Sequence, residues 1–173
     1  MRLREKIKKI KLLLLDVDGV LTNGQIIIDD KGNEIKNFNV KDGHGIKLLQ
    51  RAGIEVGVIT GRESNVVLYR MKELGIKLIY QKSFDKLKIL DEIIKEKNLD
   101  YSEIAYCGDD VVDLPVMRKV GVKFSVNNAH KLCKELADFV TEKNGGEGAV
   151  REIVELILKF SENWEKVHEK YLL

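Results

Sequence analysis

The sequence predicts an α/β fold built on a doubly wound, Rossmann-like parallel sheet. Short apolar runs alternate with amphipathic segments through most of the chain, as in β-α-β units with right-handed crossovers. Several of these runs end in acidic or polar residues, which is typical of strands that carry a ligand site at the carboxyl edge of a parallel sheet. The chain has 173 residues, and this length favours a single domain with a sizeable core over residues 1–173.

Composition excludes several classes of protein. Hydrophobic residues make up 44% of the chain and charged residues 34%, so the chain is neither disordered nor fibrous. A formal net charge of +2 gives no strong field for nucleic acid. There is no apolar run near the roughly 18 residues of a membrane span, no recognisable signal peptide, and only two cysteines. We therefore expect a cytoplasmic protein that binds neither nucleic acid nor membrane.

The first predicted strand is the apolar run that ends at Leu15 and is followed by Asp16 and Asp18. A run this short, bounded by a glycine, favours a buried central strand over a helix. Two acids at one strand end repel each other and lose hydration, so a cation should offset them. Mg²⁺ is suited to that position because it prefers oxygen ligands. The alternative is that Asp18 and Gly19 only form a turn while Asp16 caps the next element.

A β-hairpin is predicted next, at about residues 24–40, where two strand-like runs flank a polar turn that contains Gly32. Ile26, Ile28, Ile35 and Phe38 are more apolar than an isolated hairpin should expose. A two-stranded ribbon is marginal by itself, so we expect it to pack on the body of the protein or on another subunit.

The rest of the chain continues the alternation of strands and helices. Strand patterns occur at 54–60, 77–80, 104–107, 122–126 and 139–141. Helix patterns occur at 46–52, 64–74, 85–97, from Pro115 to Gly121, at 129–137, and after a glycine-rich loop that begins near residue 144. We predict that this loop and one final helix cover residues 144–170.

Three of these strands end in polar groups that should meet at one edge of the sheet. They are Asp16-Val17-Asp18, Thr60-Gly61-Arg62 and Gly108-Asp109-Asp110. The carboxylates of Asp16 and Asp109, with the backbone carbonyl of Asp18, could bind a divalent metal. Thr60, Gly61 and Lys86 offer a hydroxyl, an N–H group and a positive charge to a phosphoryl group. A phosphate ester is therefore the expected substrate.

Carboxylates at a metal site also indicate a reaction. Asp16 could attack phosphorus and form an aspartyl-phosphate, which divides hydrolysis into two easier steps. Asp18 could protonate the leaving alcohol and then deprotonate the attacking water. Positioning and neutralisation of charge would supply most of the catalysis.

Four motifs in order resemble those of the haloacid dehalogenase superfamily of phosphohydrolases. They are Asp16-Val17-Asp18-Gly19-Val20, Thr60-Gly61-Arg62, Lys86 and Gly108-Asp109-Asp110-Val111-Val112-Asp113. More narrowly, the runs at residues 39–47, 61–64, 110–117 and 145–152 resemble the phosphatases of 3-deoxy-D-manno-octulosonate 8-phosphate, the precursor of the lipopolysaccharide sugar KDO. The resemblance covers nearly the whole chain and implies a phosphohydrolase domain without a large cap.

The resemblance also implies roles for individual residues. Asp16 would be the nucleophile and Asp18 the acid and base, and both would bind Mg²⁺ with Asp109. Thr60, Gly61 and Lys86 would hold phosphate. Further members are implied around this centre: Arg62 and Arg151 would contact substrate, and Asp113 would support the metal or Lys86. Asp110 either supports the metal site from behind its direct ligands or serves only as an N-cap. Members of this family use the hairpin to build a homotetramer in which a neighbouring subunit helps to close the site.

Two other functions compete with this interpretation. A phosphatase of a nonulosonate 9-phosphate, a sugar related to sialic acid, would share every catalytic residue, and the Gly61-Arg62-Glu63-Ser64 run favours the octulosonate. A signalling domain that accepts phosphate on Asp16 is a different class of protein. Asp18 argues against signalling, because a second acid would speed the loss of a phosphoryl group that a signal needs to retain.

Overall fold

The structure is a computed structural model, and it describes residues 2–171. Its strands are β1 (Leu12–Leu15), β2 (Ile27–Ile28), β3 (Glu34–Ile35), β4 (Glu55–Ile59), β5 (Leu78–Tyr80), β6 (Ile104–Gly108), β7 (Val122–Ser125) and β8 (Phe139–Val140). Its helices are α1 (Leu3–Ile7), α2 (Val40–Arg51), α3 (Asn65–Glu73), α4 (Lys86–Lys97), α5 (Leu114–Met117), α6 (Lys131–Leu136), α7 (Ala149–Phe160) and α8 (Trp164–His168). Met1, Leu172 and Leu173, which the predicted domain includes, lie outside the described residues.

Six strands form one parallel sheet in the order β5-β4-β1-β6-β7-β8. The direction of strand order changes at β1, which pairs with β4 on one side and β6 on the other. Leu15 lies opposite both Val58 and Cys107, so the residues that follow all three strands emerge at one edge. This is the switch point at which open α/β sheets bind ligands, and it confirms the predicted fold class.

Helices cover the sheet and bury the strands that carry the site. Helices α1, α2 and α7 pack together, while α4, α5 and α6 form a second packed group. All four leucines of β1 are fully buried, as an unbroken apolar run in a parallel sheet requires. The strand ends that form the site are therefore anchored in the centre of the core.

Helix α2 begins earlier than the sequence predicts. The pattern indicated a helix at 46–52 after a hairpin that reached residue 40, whereas α2 starts at Val40. The side chain of Asn39 accepts hydrogen bonds from the N–H groups of Lys41 and Asp42 and so caps the helix. Two glycines in its first turns discouraged a helix prediction. Gly45 permits close helix packing, because a Cβ there would lie 3.0 Å from the side chain of Arg151.

The predicted final helix is divided into two. Helix α7 ends at Phe160 and α8 begins at Trp164. Glu162 between them has φ 62°, a left-handed conformation that stops a helix, and the N–H of Asn163 donates to the carbonyl of Leu158 at 2.9 Å. The apolar stripe continues across the break in sequence, so periodicity by itself does not reveal it.

The hairpin formed by β2 and β3 is antiparallel and short, with two residues in each strand. Its outward side is apolar, since Ile26 is 61% exposed and Ile35 51% exposed. Glu34, Lys36 and Phe38 alternate with Ile35 and lie toward the body of the protein. Phe38 packs against the core, which is one of the two arrangements that the sequence predicts for the apolar residues of the hairpin.

A membrane-spanning helix would need a longer apolar stretch than any helix within residues 2–171 provides.

Candidate active site

A cleft of about 380 Å³ opens at the carboxyl edge of the sheet, where β1, β4 and β6 end. The residues that line it come from all three strand ends, from the loop before α4 and from the start of α4. They are Asp16, Asp18, Gly24, Thr60, Gly61, Arg62, Ser83, Phe84, Lys86, Asp109, Asp110 and Val112. Eight of the ten residues that the sequence predicts for the site are in this set, and Asp113 and Arg151 are not.

Asp16 is held rigidly at the base of this cleft. Its side chain is buried, and its Oδ1 accepts the N–H of Val17 at 2.7 Å. The ammonium of Lys86 lies 3.1 Å from the same oxygen. Both contacts go to Oδ1, so Oδ2 is the oxygen available to a ligand.

Asp113 fixes Lys86 and the loop that follows β6. Its Oδ1 accepts hydrogen bonds from Lys86 at 2.7 Å and from the hydroxyl of Tyr106 at 2.6 Å. Its Oδ2 accepts the backbone N–H groups of Asp109 and Asp110 at 2.9 and 3.2 Å. The four bonds use both oxygens of this fully buried carboxylate. Asp113 therefore orients Lys86 and the loop of Asp109, and Tyr106 is a supporting residue that the sequence analysis missed.

Asp109 approaches the first strand end closely because Gly19 has no side chain. Gly19 has φ +96°, and a Cβ there would lie 2.0 Å from Oδ2 of Asp109. Any other residue would be strained by this backbone conformation and would displace the carboxylate. The glycine of the first motif thus brings two acidic strand ends together.

The charge balance of these acids leaves room for a cation. Ligand atoms of Asp16, Asp109 and Asp113 lie within 4.8 Å of one another. Burial raises the pKa of Asp16 to about 6, although Lys86 opposes the shift. Burial, then the negative charges of Asp16 and Asp113, raise the pKa of Asp109 to about 8. Raised pKa values mean that Lys86 alone does not neutralise the acids, so the donor set fits a hard divalent metal on Asp16 and Asp109.

Lys86 stays charged in this setting. Burial lowers its pKa, but the carboxylates of Asp16 and Asp113 outweigh that effect and the pKa is raised. Lys82, the other lysine near this position, pairs with Glu63 at 2.6 Å on the exposed surface. The structure thus places Lys86, and not Lys82, in the cleft.

Thr60 and Gly61 form the polar wall that faces these acids. The Thr60 hydroxyl accepts the N–H of Arg62 at 3.4 Å, which leaves its proton available to a ligand. A Cβ on Gly61 would meet no atom within 4 Å among the described residues, so packing does not require a glycine there. Open space beside a backbone N–H suits the close approach of an anion.

The hairpin contributes two charged residues that the sequence analysis did not assign to the site. Lys36 lies 2.5 Å from Asp18 and 3.0 Å from Glu34. Arg62 lies 2.9 Å from Glu34, and its Nε is 3.9 Å from Asp18. These four residues, Asp18, Glu34, Lys36 and Arg62, form a closed ring of alternating charges, which we call the hairpin ring.

The hairpin ring holds Glu34 in its charged form. Burial raises the pKa of Glu34, but hydrogen bonds and the nearby charges of Lys36 and Arg62 lower it to about 2. The only sequence signal for the ring was the spacing of Glu34 and Lys36, since residues two apart on a strand share a face.

The side chains of Asp110 and Arg151 are each engaged by other groups of the protein. Asp110 is the N-cap of a 3₁₀ turn, where its side chain accepts the N–H of Val111 at 2.7 Å, as the capping alternative anticipated. Arg151 does not line the cleft of this chain, so its contact with the substrate stays a prediction. Its Nε pairs with Glu155 at 2.7 Å, and its guanidinium lies 3.2 Å from Nδ1 of His44. Helix packing directs this side chain along α7.

The glycine-rich loop does approach the first motif. The N–H of Gly146 donates to the carbonyl of Val20 at 3.0 Å. A Cβ on Gly145 would lie 1.7 Å from the carbonyl oxygen of Gly19, so only glycine permits this contact. The loop therefore braces the turn that follows Asp18.

Sequence comparisons give close relatives over most of the chain. A family model for haloacid dehalogenase-like hydrolases matches residues 76–153. The chain is 44% identical over 153 residues to the 3-deoxy-D-manno-octulosonate 8-phosphate phosphatase KdsC of Escherichia coli K12, and the match covers 88% of this chain and 81% of that protein. The KdsC protein of Yersinia pestis is 42% identical over 154 residues, with 89% and 82% covered.

Solved structures give the same relationship. A 3-deoxy-D-manno-octulosonate 8-phosphate phosphatase from Moraxella catarrhalis, solved with magnesium ion, phosphate ion and KDO, has a TM-score of 0.95 and 43% identity, with 97% of each chain covered. A probable YrbI family phosphatase from Pseudomonas syringae has a TM-score of 0.96 and 45% identity, covering 98% of this chain and 97% of that one.

Proposed function

We propose that this chain is a Mg²⁺-dependent enzyme that hydrolyses 3-deoxy-D-manno-octulosonate 8-phosphate. The chain belongs to the phosphatases of this ester in the haloacid dehalogenase superfamily. The products would be KDO and inorganic phosphate, in lipopolysaccharide biosynthesis. The observation that carries the proposal is the convergence of Asp16, Lys86 and Asp109 beside Thr60 in one cleft. The relatives at 44% identity and the KDO-bound neighbour supply the substrate.

Asp16 would perform the first chemical step. Its Oδ2 attacks phosphorus, and the bond between phosphorus and the ester oxygen breaks. Asp18 gives a proton to the departing sugar oxygen. The result is an aspartyl-phosphate on Asp16 and the free sugar.

Asp18 would then act as a base. It takes a proton from water while the water oxygen attacks phosphorus, and the bond to Asp16 breaks to release phosphate. Lys86 and the hydroxyl of Thr60 hold the phosphoryl oxygens through both steps, aided by the N–H of Gly61. Asp113 keeps Lys86 in place through its bond of 2.7 Å.

Mg²⁺ would be held by Asp16, Asp109 and the backbone carbonyl of Asp18, and when bound it supplies positive charge to the phosphoryl group. Asp110 and Asp113 would support these ligands without contacting the metal themselves. Arg62, on the rim, is available to the phosphate or to the sugar carboxylate.

A nonulosonate 9-phosphate is the second candidate substrate, since it needs the same catalytic residues. The relatives favour the octulosonate, because both curated proteins named above carry that activity in their names. A signalling domain is disfavoured by the position of Asp18, which lines the cleft beside Asp16.

A homotetramer built through the hairpin is the assembly that we propose. The exposed isoleucines of β2 and β3 and the preceding Ile26 give the hairpin an apolar outer side that another copy would cover. A cytoplasmic location is also part of the proposal, and it agrees with the two buried free cysteines, Cys107 and Cys133.

Phosphate release from a panel of sugar phosphates, with and without Mg²⁺, tests the activity. We expect turnover of 3-deoxy-D-manno-octulosonate 8-phosphate that requires Mg²⁺ and that Asp16→Asn lowers by on the order of 10⁴-fold or more. Preference for a nonulosonate 9-phosphate would keep the mechanism and change the substrate. Stable phosphorylation of Asp16 without release of phosphate would favour the signalling alternative.

A further inference from the structure

The hairpin carries a lysine whose position its exposed surroundings do not explain. The strands of the hairpin have two residues each, and its isoleucines face outward. The side chain of Lys36, by contrast, is only 1% exposed. Burying an ammonium group is costly unless it is paired, so its partners indicate what the residue does.

Both partners of Lys36 connect it to the cleft. Its Nζ lies 2.5 Å from Oδ1 of Asp18 and 3.0 Å from Oε1 of Glu34. Glu34 in turn holds Arg62 at 2.9 Å. The carboxylate of Asp18 therefore has one oxygen against Lys36, while Arg62 approaches the other at 3.9 Å.

We propose that Lys36 is a positioning residue for Asp18, holding its carboxylate where it can exchange a proton with the ester oxygen. The inference rests on the proposed function, in which Asp18 is the acid and base. Asp18 lies in the turn that follows β1 and not in the strand itself. A side chain in a turn needs a fixed partner to keep one orientation, and the hairpin ring supplies it. The hairpin thus completes the site as well as offering a surface for assembly.

A purely structural role for Lys36 makes a different prediction. If the ring only seats the hairpin, loss of Lys36 should impair every substrate to the same degree. If Lys36 positions the acid, its loss should slow the first step only for substrates whose leaving group needs a proton. An alkyl oxygen such as that of the sugar needs one, whereas p-nitrophenolate departs readily without it.

The test compares Lys36→Met with the unaltered enzyme in rapid-mixing kinetics with substrate in excess, which resolve the first turnover from the steady state, with Mg²⁺ present. The two substrates are 3-deoxy-D-manno-octulosonate 8-phosphate and p-nitrophenyl phosphate. For the sugar phosphate we expect the first-step rate to fall by about 10- to 100-fold while KM changes by less than about threefold. For p-nitrophenyl phosphate, the first release of p-nitrophenolate should change by less than about threefold and be followed by a slower steady state, because Asp18 also serves the second step.

Two further variants control the comparison. Lys36→Arg keeps the positive charge and should recover most of the lost rate. Lys31→Met removes an exposed lysine from the turn of the same hairpin and should match the unaltered enzyme. Circular dichroism shows whether Lys36→Met folds. If it does not, Glu34→Gln removes the other ion-pair partner of Lys36 and should show a smaller loss of the first-step rate, confined to the sugar phosphate.

Equal losses of the first-step rate on both substrates, or unaltered first-step rates on both, would overturn the inference. A rise in KM without a fall in rate would also overturn it. If the unaltered enzyme does not hydrolyse the sugar phosphate, the proposed substrate is wrong, and another alkyl phosphate that the enzyme accepts replaces it in the same comparison. Failure of the inference and failure of the proposed function are therefore distinguishable.

Discussion

The carboxyl edge of the sheet and the hairpin supply the two sides of one cleft, and they differ in how firmly their residues are held. At the sheet edge, Asp16 and Asp113 are buried; Asp16 is held by the N–H of Val17 and by Lys86, and Asp113 accepts four hydrogen bonds. In the hairpin, two-residue strands reach the site through a single ring of ion pairs. The proposed nucleophile, Asp16, thus belongs to the rigid core, whereas the proposed acid and base, Asp18, depends on a peripheral element.

This difference suits the two tasks. Attack on phosphorus requires an oxygen fixed to within a fraction of an ångström, and a core strand provides that precision. Proton transfer requires an acid that faces the leaving group and then water, and the ion pairs of the hairpin ring are enough to keep Asp18 in that orientation. Variants in each region can break or sharpen this comparison.

The largest effect in this series should come from Asp113→Asn at the sheet edge. The amide would lose the charge that pairs with Lys86, and at least one of the four hydrogen bonds would be replaced by a mismatched donor. We expect kcat/KM to fall by about 100-fold, in line with losses of supporting groups at metal sites. Steady-state kinetics measure this change, with Asp91→Asn on the outer side of α4 as the matched control. A fall of less than threefold would show that the edge is less rigid than its contacts indicate.

The second effect concerns metal binding to the same edge. In the metal-free protein, the pKa of Asp109 is about 8 and that of Asp16 about 6, so the pair keeps a proton near neutral pH. Mg²⁺ must displace that proton, and its affinity should rise by up to about tenfold per pH unit between pH 6 and 8. Calorimetric titration at three pH values measures the slope. An affinity that does not change over this range would contradict the raised pKa values.

The same pKa values set the sign of a stability change. The folded state binds more protons than the unfolded state between about pH 4 and 8, so the free energy of unfolding of the metal-free protein should fall as pH rises through this range. Asp109→Asn should remove most of this fall in the free energy of unfolding. Thermal melting at pH 8 without metal should show the variant about 3 to 6 °C above the unaltered protein. At pH 4 the two should melt within about 1 °C of each other, because Asp109 is then protonated in the folded state.

The third effect tests the outer side of the hairpin. Replacing Ile26 and Ile35 by Asp places charges on the surface proposed for assembly. Light scattering should then show monomers, and kcat should fall by about threefold to tenfold because the hairpin ring would be less firmly seated. Leu132→Asp, an exposed apolar position on α6, controls for surface charge. If the double variant is still tetrameric, the hairpin does not form the interface.

The smallest effect should come from Asp42, which connects α2 to the glycine-rich loop. Its Oδ1 accepts the N–H of Arg151 at 2.8 Å and so caps α7, whose own N-cap residue is Gly148. Asp42→Ala should cost about 1 kcal/mol and lower the melting temperature by about 2 to 4 °C. Asp42→Asn keeps an oxygen acceptor and should melt within about 1 °C of the unaltered protein. Equal losses in both variants would show that the charge, and not the cap, stabilises the loop.

Much of the cleft could be predicted from local sequence. Apolar runs of strand length located β1, β4 and β6, and the polar residues that follow them are the ones that meet in the structure. This succeeded because parallel strands must place their carboxyl ends together, whatever the details of packing. Asp16, Thr60 and Asp109 were therefore predictable as neighbours.

Other features depended on contacts between distant segments. The start of α2 at Val40 depends on a cap by Asn39 and on Gly45, which admits Arg151 from α7. Arg151 was expected at the substrate, but its guanidinium lies beside Glu155 and His44. Neither position follows from periodicity, since both result from two helices packing together.

The hairpin ring shows most clearly what the tertiary structure decided. The sequence by itself determined the strands, their acidic ends and an apolar hairpin, because each is encoded by residues close together in the chain. The pairing of Lys36 with Asp18 joins residues 18 positions apart, and that of Glu34 with Arg62 joins residues 28 apart. Only the folded hairpin brings these charges together, because side chains of either sign at those positions are equally compatible with a local strand pattern.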